Sequence, residues 1–276
     1  MIDRIPDSFQ ESYADLSSLR LHFVEGGTGY PLVFLPAYLD TWQTFRLVLP
    51  LLAPHFRCLV LDQRGHGKSH YAGEDWSLDA YAQDVIEFLD QQGIERTTLV
   101  GSSMGSFVAR KVALRCPDRI DRLVLVGSGM RTDNHEQLQG LRVALEQFSE
   151  AIPRELAEAI LSPNAKRGKI PDWFFNACVD ASSQIPGKTW RGALDGLLAD
   201  NHSDRLEAIM QPTLLIAGNQ DEVFLWEDQA QVAQKLPQAD LKLYEAVGHY
   251  PHWEEPTQFA ADLREFLQKE HSLAKS

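Results

Sequence analysis

Three residue types at three separated positions could together do nucleophilic chemistry. Ser103 sits at the centre of Gly101-Ser102-Ser103-Met104-Gly105, between the apolar run Thr97–Val100 and a helix-compatible segment, Phe107 to Arg115. A strand that turns sharply into a helix holds one side chain exposed above a sheet, provided small residues let strand and helix approach. A serine hydroxyl is a weak nucleophile until a base takes its proton, and that base works best when a carboxylate fixes its tautomer. With 18 glycines in 276 residues a G-x-S-x-G run also arises by chance. A glycine-rich turn whose serines only satisfy backbone groups is the structural alternative, so the partners must decide.

The base is sought after the last strand-like run, Leu241–Tyr244, where Glu245-Ala-Val-Gly-His249 follows. His252 is the rival, but it lies where Trp253, Glu254 and Pro256 already signal a closing helix. For the carboxylate, the run Thr213–Ala217 leads into Gly218-Asn219-Gln220-Asp221-Glu222, which makes Asp221 the first candidate and Glu222 the second. The other position open to such an acid, after Arg122–Val126, carries Gly127-Ser128-Gly129 and no carboxylate before Asp133. Alone, Asp221 would read as a solvated or helix-capping acid.

The elements that must position these residues alternate. Ser8 to Glu25 reads as an edge hairpin, and Pro31–Leu35, Arg57–Leu61, Thr97–Val100, Arg122–Val126, Thr213–Ala217 and Leu241–Tyr244 as short strands buried on both faces. Helical spacing occurs between them at Trp42–Ala53, Leu78–Gln92, Met104–Arg115, Trp226–Leu236 and Pro256–Lys269. This pattern predicts a parallel sheet with right-handed crossovers. From about Gly129 to Leu206 strand signals vanish, and helices are expected near Glu136–Glu150, Pro153–Ile160, Pro171–Ala181 and Lys188–Asp200. An all-helical insertion of this kind predicts a cap, residues 129–206, over the carboxyl edge of a core formed by 1–128 and 207–276. The aromatics Phe148, Trp173, Phe174, Phe175 and Trp190 in it suggest core packing and an apolar substrate group.

Composition narrows the classes. An apolar share of 44% with 24% charged residues is ordinary for a globular chain. The net charge of −13 supplies no basic face for nucleic acid. Cys58, Cys116 and Cys178 are an odd number without C-x-x-C pairing, which predicts free thiols in a reducing compartment. The amino terminus lacks an apolar signal core, and no run of 18 apolar residues occurs, so a cytoplasmic protein with no membrane partner is expected. No H-E-x-x-H, P-loop or dinucleotide fingerprint is present, and neither a metal nor a cofactor is expected. His66, within Arg64-Gly-His-Gly-Lys-Ser69, reads as a residue that shapes its turn.

Taken together these motifs resemble the α/β-hydrolase superfamily. The chain order Ser103, Asp221, His249 matches that family's nucleophile, acid and base. So do the stretches Asp62–Ser69 (DQRGHGKS), Gly218–Val223 (GNQDEV) and Val247–Pro256 (VGHYPHWEEP), and the resemblance covers essentially the whole chain. It implies a mostly parallel, roughly eight-stranded α/β sheet flanked by helices, with the helical insertion where the family carries its lid. It further implies an oxyanion hole made by the backbone N–H groups of Tyr38 and Met104. Here the sequence departs from the family: Pro36-Ala37-Tyr38 stands where many relatives have His-Gly. The activity implied is hydrolysis of a small carboxylic ester or lactone through an acyl-enzyme. A serine at the elbow excludes the family's dehalogenases and epoxide hydrolases, which use a carboxylate there. Two alternatives stay open. One is carbon–carbon bond hydrolysis of ring-cleavage diketones, to which Trp253, just past the base, gives a faint signal. The other is a non-catalytic ligand receptor on the same fold. Natural substrate and oligomeric state are left open.

Overall fold

The computed structural model describes residues 5–148, 152–165 and 167–269. Eight strands form one sheet: β1 (Phe9–Asp15), β2 (Arg20–Gly26), β3 (Pro31–Leu35), β4 (Arg57–Leu61), β5 (Thr97–Ser102), β6 (Ile120–Val126), β7 (Thr213–Gly218) and β8 (Ala239–Tyr244). Their spatial order is β1-β2-β4-β3-β5-β6-β7-β8. β1 pairs with β2, and β2 with β4, antiparallel. The pairings from β4–β3 to β7–β8 are parallel. The helices are α1 (Leu49–Leu52), α2 (Leu78–Gln91), α3 (Met104–Arg115), α4 (Glu136–Ala144), α5 (Arg154–Asn164), α6 (Asp172–Ser183), α7 (Gly187–Ala199), α8 (Trp226–Lys235), α9 (Pro251–Glu254) and α10 (Pro256–Gln268).

The continuously apolar strands are apolar because both of their faces are covered. Period-2 alternation sends Val33, Leu35, Leu59, Leu99, Leu123 and Leu215 to one face, against Tyr81, Val85 and Phe88 of α2 and Phe107 and Val112 of α3. Leu32, Phe34, Val60, Val100, Val124 and Leu214 go to the other, against Leu49 and Leu52 of α1 and Phe259, Leu263 and Phe266 of α10. α2 starts where Ser77 Oγ accepts from the Ala80 N–H at 3.2 Å.

The helix expected over Trp42–Ala53 is instead a 3₁₀ turn at Trp42–Phe45, capped by Thr41, followed by the short α1. Pro50, without an N–H, is tolerated only in a first helical turn, so the chain opens a new helix there. The helix expected at Glu136–Glu150 ends at Ala144 and tightens into a 3₁₀ turn, Leu145–Gln147; its last two expected residues lie outside the described ones. A 3₁₀ stretch at Ser203–Ala208 carried no clear sequence signal. Between β6 and β7, the helices α4 to α7 and the 3₁₀ turn after α4 pack through Leu145, Leu161, Phe174, Phe175 and Trp190 onto Ala37, Leu39, Tyr250 and Trp253. Those last four residues belong to segments beyond the carboxyl ends of β3 and β8, so these helices cover that edge of the sheet. Trp173 does not join them. It is 52% exposed and lies 5.0 Å from the Arg46 guanidinium. Three consecutive residues on a helix are spread by about 100° each, so Trp173, Phe174 and Phe175 cannot all point inward. Among the described residues no helix is long and apolar enough to cross a membrane.

Candidate active site

Ser103 stands between β5 and α3 with φ 47° and ψ −116°, a backbone region that costs a non-glycine residue roughly 1–3 kcal/mol. Its surroundings hold it there. The Ser103 N–H donates to the Val126 carbonyl at 2.8 Å, tying the elbow to the end of β6. The Ser106 hydroxyl donates to the Ser103 carbonyl at 2.6 Å and lies 2.7 Å from the Ser128 hydroxyl. The flanking glycines are required by close approach. A Cβ on Gly101 would lie 2.4 Å from the Gly105 carbonyl oxygen, and one on Gly105 would lie 2.0 Å from that of Leu35. Gly105 therefore lets the start of α3 touch the loop that leaves β3.

At the far end of the sheet, Asp221 follows β7 and His249 follows β8. Asp221 Oδ2 is 2.8 Å from His249 Nδ1, and both side chains are buried. The same carboxylate accepts from the N–H groups of Val223 (2.8 Å) and Phe224 (3.0 Å) at Oδ1 and from Gln229 Nε2 (3.0 Å) at Oδ2. Four donors fix its orientation and keep it an acceptor, so His249 carries its proton on Nδ1 and Nε2 is left as the basic nitrogen. The His249 N–H donates to the Asn164 carbonyl at 2.9 Å, and the Gly248 N–H to Glu254 Oε1 at 3.0 Å. The ring lies against Gly127, the residue after the Val126 that receives the Ser103 N–H: a Cβ there would be 2.9 Å from His249 Cε1. No hydrogen bond joins the Ser103 hydroxyl to His249 in this structure, and in resting sites this contact is often long.

The two rivals are placed elsewhere. Glu222 is exposed and borders an open cleft of about 700 Å³, separate from the serine. His252 is fully buried, stacked on Phe45 at 4.9 Å, with Nε2 3.2 Å from Thr44 Oγ1. Burial, with the nearby His249, pushes its pKa down to about 3. His66 is also buried, its Nδ1 2.9 Å from the Arg64 carbonyl, and burial lowers its pKa.

The loop without His-Gly is braced from several sides. Gln63 Nε2 donates to the Pro36 carbonyl at 2.8 Å, Ser182 Oγ to that of Leu39 at 2.7 Å, and the Tyr38 hydroxyl to that of Trp190 at 2.7 Å. The Asp40 N–H closes a turn onto Ala37 O at 3.2 Å, and the positive φ this turn needs, 66°, falls on Leu39 and not on Ala37. Met104 opens α3, so its N–H has no intrahelical partner. Among the described residues the Tyr38 N–H has no protein acceptor either. Two free N–H groups thus flank the Leu35–Gly105 contact.

Comparison with known proteins agrees with this architecture. A family model described as the alpha/beta hydrolase fold matches residues 30–256. The chain belongs to the alpha/beta hydrolase fold family. A 2-hydroxymuconate semialdehyde hydrolase of Pseudomonas sp. (strain CF600) is 28% identical over 273 residues, covering 94% of each chain. Among solved structures, the enol-lactonase from Burkholderia xenovorans LB400 superposes with a TM-score of 0.86 at 21% identity, covering 94% of this chain and 100% of that one. A thermophilic esterase from Thermogutta terrifontis gives 0.86 at 24% identity, covering 94% and 98%.

Within this alpha/beta hydrolase several residues that bear on the site had no sequence signal of their own. Gln229 was one position among many on α8, yet it grips both Asp221 and the Phe224 carbonyl (2.7 Å). Gln63 stood inside DQRGHGKS, where only the motif as a whole spoke. Asp40, and Thr44 within the expected helix Trp42–Ala53, carried no signal of their own, yet both are buried. Trp253 is buried too, and its indole N–H donates to Thr44 Oγ1 at 2.9 Å. Among the described residues no group of three or more His, Cys, Asp or Glu side chains is placed to hold a metal ion.

Proposed function

We propose that this alpha/beta hydrolase cleaves a carboxylic ester or lactone of a small to medium apolar substrate, with Ser103 as nucleophile, His249 as base and Asp221 as its orienting acid. The observation that carries the reading is the hydrogen-bond pattern at His249, in which Asp221 engages Nδ1 and Nε2 remains available. Ser103 Oγ adds to the substrate carbonyl carbon as its proton passes to His249 Nε2. The carbonyl π electrons move to oxygen, and the N–H groups of Tyr38 and Met104 receive that oxyanion. Collapse expels the alkoxide, which takes the proton from His249 and leaves an acyl-Ser103. Water then repeats the cycle, with His249 as base, and restores the serine. Residues 129–206 act as a lid. Ser103 is only 8% exposed, and the insertion packs apolar side chains, Trp190 and Leu194 among them, with Ala37 and Leu39 of the loop after β3 and Tyr250 beside the base, which suits an apolar substrate group and a dry reaction space.

Ser103→Ala tests the proposal. Turnover of short-chain p-nitrophenyl esters is expected to disappear, and undiminished turnover refutes it. A second reading, hydrolysis of a carbon–carbon bond in a ring-cleavage diketone by the same three residues, is favoured by the name of the Pseudomonas relative. Trp253 lends it no support, since its N–H is spent on Thr44. A panel of diketones against esters separates the two readings. A ligand receptor would turn over neither and would leave Ser103 unlabelled by a fluorophosphonate.

A further inference from the structure

Asp40 is a buried carboxyl group that the reaction above does not use. It sits on the loop after β3, two residues past Tyr38, and is 3% exposed. The hydrogen-bond directions around it can be worked out. Trp253 Nε1–H donates to Thr44 Oγ1 at 2.9 Å, and the Thr44 hydroxyl gives its one hydrogen to Asp40 Oδ2 at 2.9 Å. His252 Nε2, 3.2 Å from the same Thr44 oxygen, must then be the donor to it. Every hydrogen in this chain runs toward Asp40 Oδ2.

The other oxygen, Oδ1, receives no hydrogen bond among the described residues, yet burial does not seal it off and it keeps accessible surface. The same holds for the hydroxyl of Tyr250, the residue after the base. Tyr250 is 4% exposed, its ring 5.1 Å from that of His249, and its oxygen has no hydrogen-bond partner among the described residues and is not sealed off. The groups facing Asp40 are Thr44 from the 3₁₀ turn, Cys178 from α6, and His249 and Tyr250 from the loop after β8. Among the described residues no Lys or Arg pairs with it. A carboxyl serving only to receive Thr44 would be closed over on its free side. Burial also pushes the Asp40 pKa up to about 7, with Thr44 and His249 pulling the other way. Near neutrality it is therefore partly a neutral acid able to donate.

We propose that Asp40 Oδ1 and the Tyr250 hydroxyl form a polar subsite that hydrogen-bonds a substrate oxygen close to the scissile carbonyl, so that the preferred ester or lactone carries a hydroxyl or keto group there. This rests on the serine-hydrolase reading and names its substrate class: an otherwise apolar acyl or alcohol group bearing one oxygen. A site built to bond such an oxygen rejects the analogue lacking it, because its own buried polar atoms are then left unpaired.

The test measures kcat/KM for methyl butyrate, methyl 3-hydroxybutyrate and 2-hydroxyethyl butyrate, which put the oxygen on neither, the acyl or the alcohol side. Wild type and Asp40→Asn are expected to prefer one oxygenated ester by roughly ten-fold, because the Asn amide accepts from Thr44 and donates outward as the neutral acid does. The preference is expected to fall to about one in Asp40→Ala and several-fold in Tyr250→Phe, which removes only a hydroxyl. A merely structural Asp40 would move all three esters together. Equal kcat/KM for the three esters in the wild type, or a preference that survives in whichever of Asp40→Ala and Tyr250→Phe folds, overturns the subsite. Fluorophosphonate labelling of wild-type Ser103 is read alongside. Labelling without an ester preference overturns the subsite alone, whereas no labelling and no turnover of any ester overturns the hydrolase reading and the subsite with it.

Discussion

Replacing Asp221 by Asn keeps the shape of the side chain and removes one acceptor, which makes the outcome calculable from four distances. Oδ1 faces the N–H groups of Val223 (2.8 Å) and Phe224 (3.0 Å), and these backbone donors cannot turn away. The Asn oxygen must therefore occupy that side, and its NH2 then faces Gln229 Nε2 and His249 Nδ1, both donors. Gln229 cannot flip without setting its oxygen against the Phe224 carbonyl, which its NH2 now serves at 2.7 Å. His249 yields instead, moving its proton from Nδ1 to Nε2 and ceasing to be a base toward Ser103. On p-nitrophenyl esters kcat is expected to fall by about 10³–10⁴, or about 4–5.5 kcal/mol of barrier, with KM little changed. One donor left facing another costs about 1–3 kcal/mol of stability, to be read from urea unfolding. A folded Asp221→Asn enzyme within ten-fold of the wild-type kcat would refute the reasoning, because His249 would then not depend on this carboxylate.

Other expectations follow from single contacts. Gly105→Ala places a Cβ 2.0 Å from the Leu35 carbonyl oxygen and 2.6 Å from that of Pro36; forcing α3 off the loop is expected to cost about 1–3 kcal/mol and more than ten-fold in kcat, and full activity would contradict it. Gln63→Leu frees the Pro36 carbonyl and is expected to lower kcat about ten-fold at constant KM, less than the 10²–10³ of losing an oxyanion donor outright; a change in KM alone would count against the role given to this loop. His252, held neutral with a pKa of about 3 against 6.5 when unfolded, makes the native state lose stability as pH falls below 6.5; His252→Gln is expected to remove up to about 2 kcal/mol of the loss between pH 7 and 5 in urea titrations. Asp40 acts with the opposite sign. Its folded pKa of about 7 lies above the unfolded 3.8, so it disfavours folding increasingly as pH rises from 4 to 7. Asp40→Asn is expected to gain roughly 2–3 kcal/mol relative to wild type on going from pH 5 to 8, and a constant difference would contradict this.

What the sequence told and withheld divides along physical lines. Strands such as Leu32–Leu35 and Leu123–Val126 were legible because burial on both faces leaves an unbroken apolar run, a signal that needs no neighbour to interpret. The places for Ser103, Asp221 and His249 were legible because each follows a recognisable strand. Trp42–Ala53 misread as a single helix because apolar spacing cannot register that Pro50 must open a turn or that Trp42 N–H is taken by Asp62 Oδ1 at 2.7 Å. The three aromatics at 173–175 were counted without their angular spread. Gln63 and Thr44 escaped notice because their roles are long-range, Gln63 meeting Pro36 27 positions away and Thr44 meeting Trp253 across 209, while Asp40 and Gln229 act on residues 4 and 8 positions away at spacings that any polar side chain shares. Such contacts have no local pattern, and a polar residue in a loop reads the same whether solvated or buried. The Pro36-Ala37-Tyr38 turn shows the same limit, since the positive φ of this loop falls one residue beyond it, on Leu39, whose carbonyl accepts from the hydroxyl of Ser182 far along the chain.

The most direct test of the central claim is mass spectrometry of the folded protein after brief exposure to a fluorophosphonate, with Ser103→Ala and His249→Ala alongside. The account predicts one adduct, on the peptide containing Ser103, absent in Ser103→Ala and slowed by orders of magnitude in His249→Ala. An adduct on another serine, or labelling of Ser103 at an undiminished rate without His249, would contradict it.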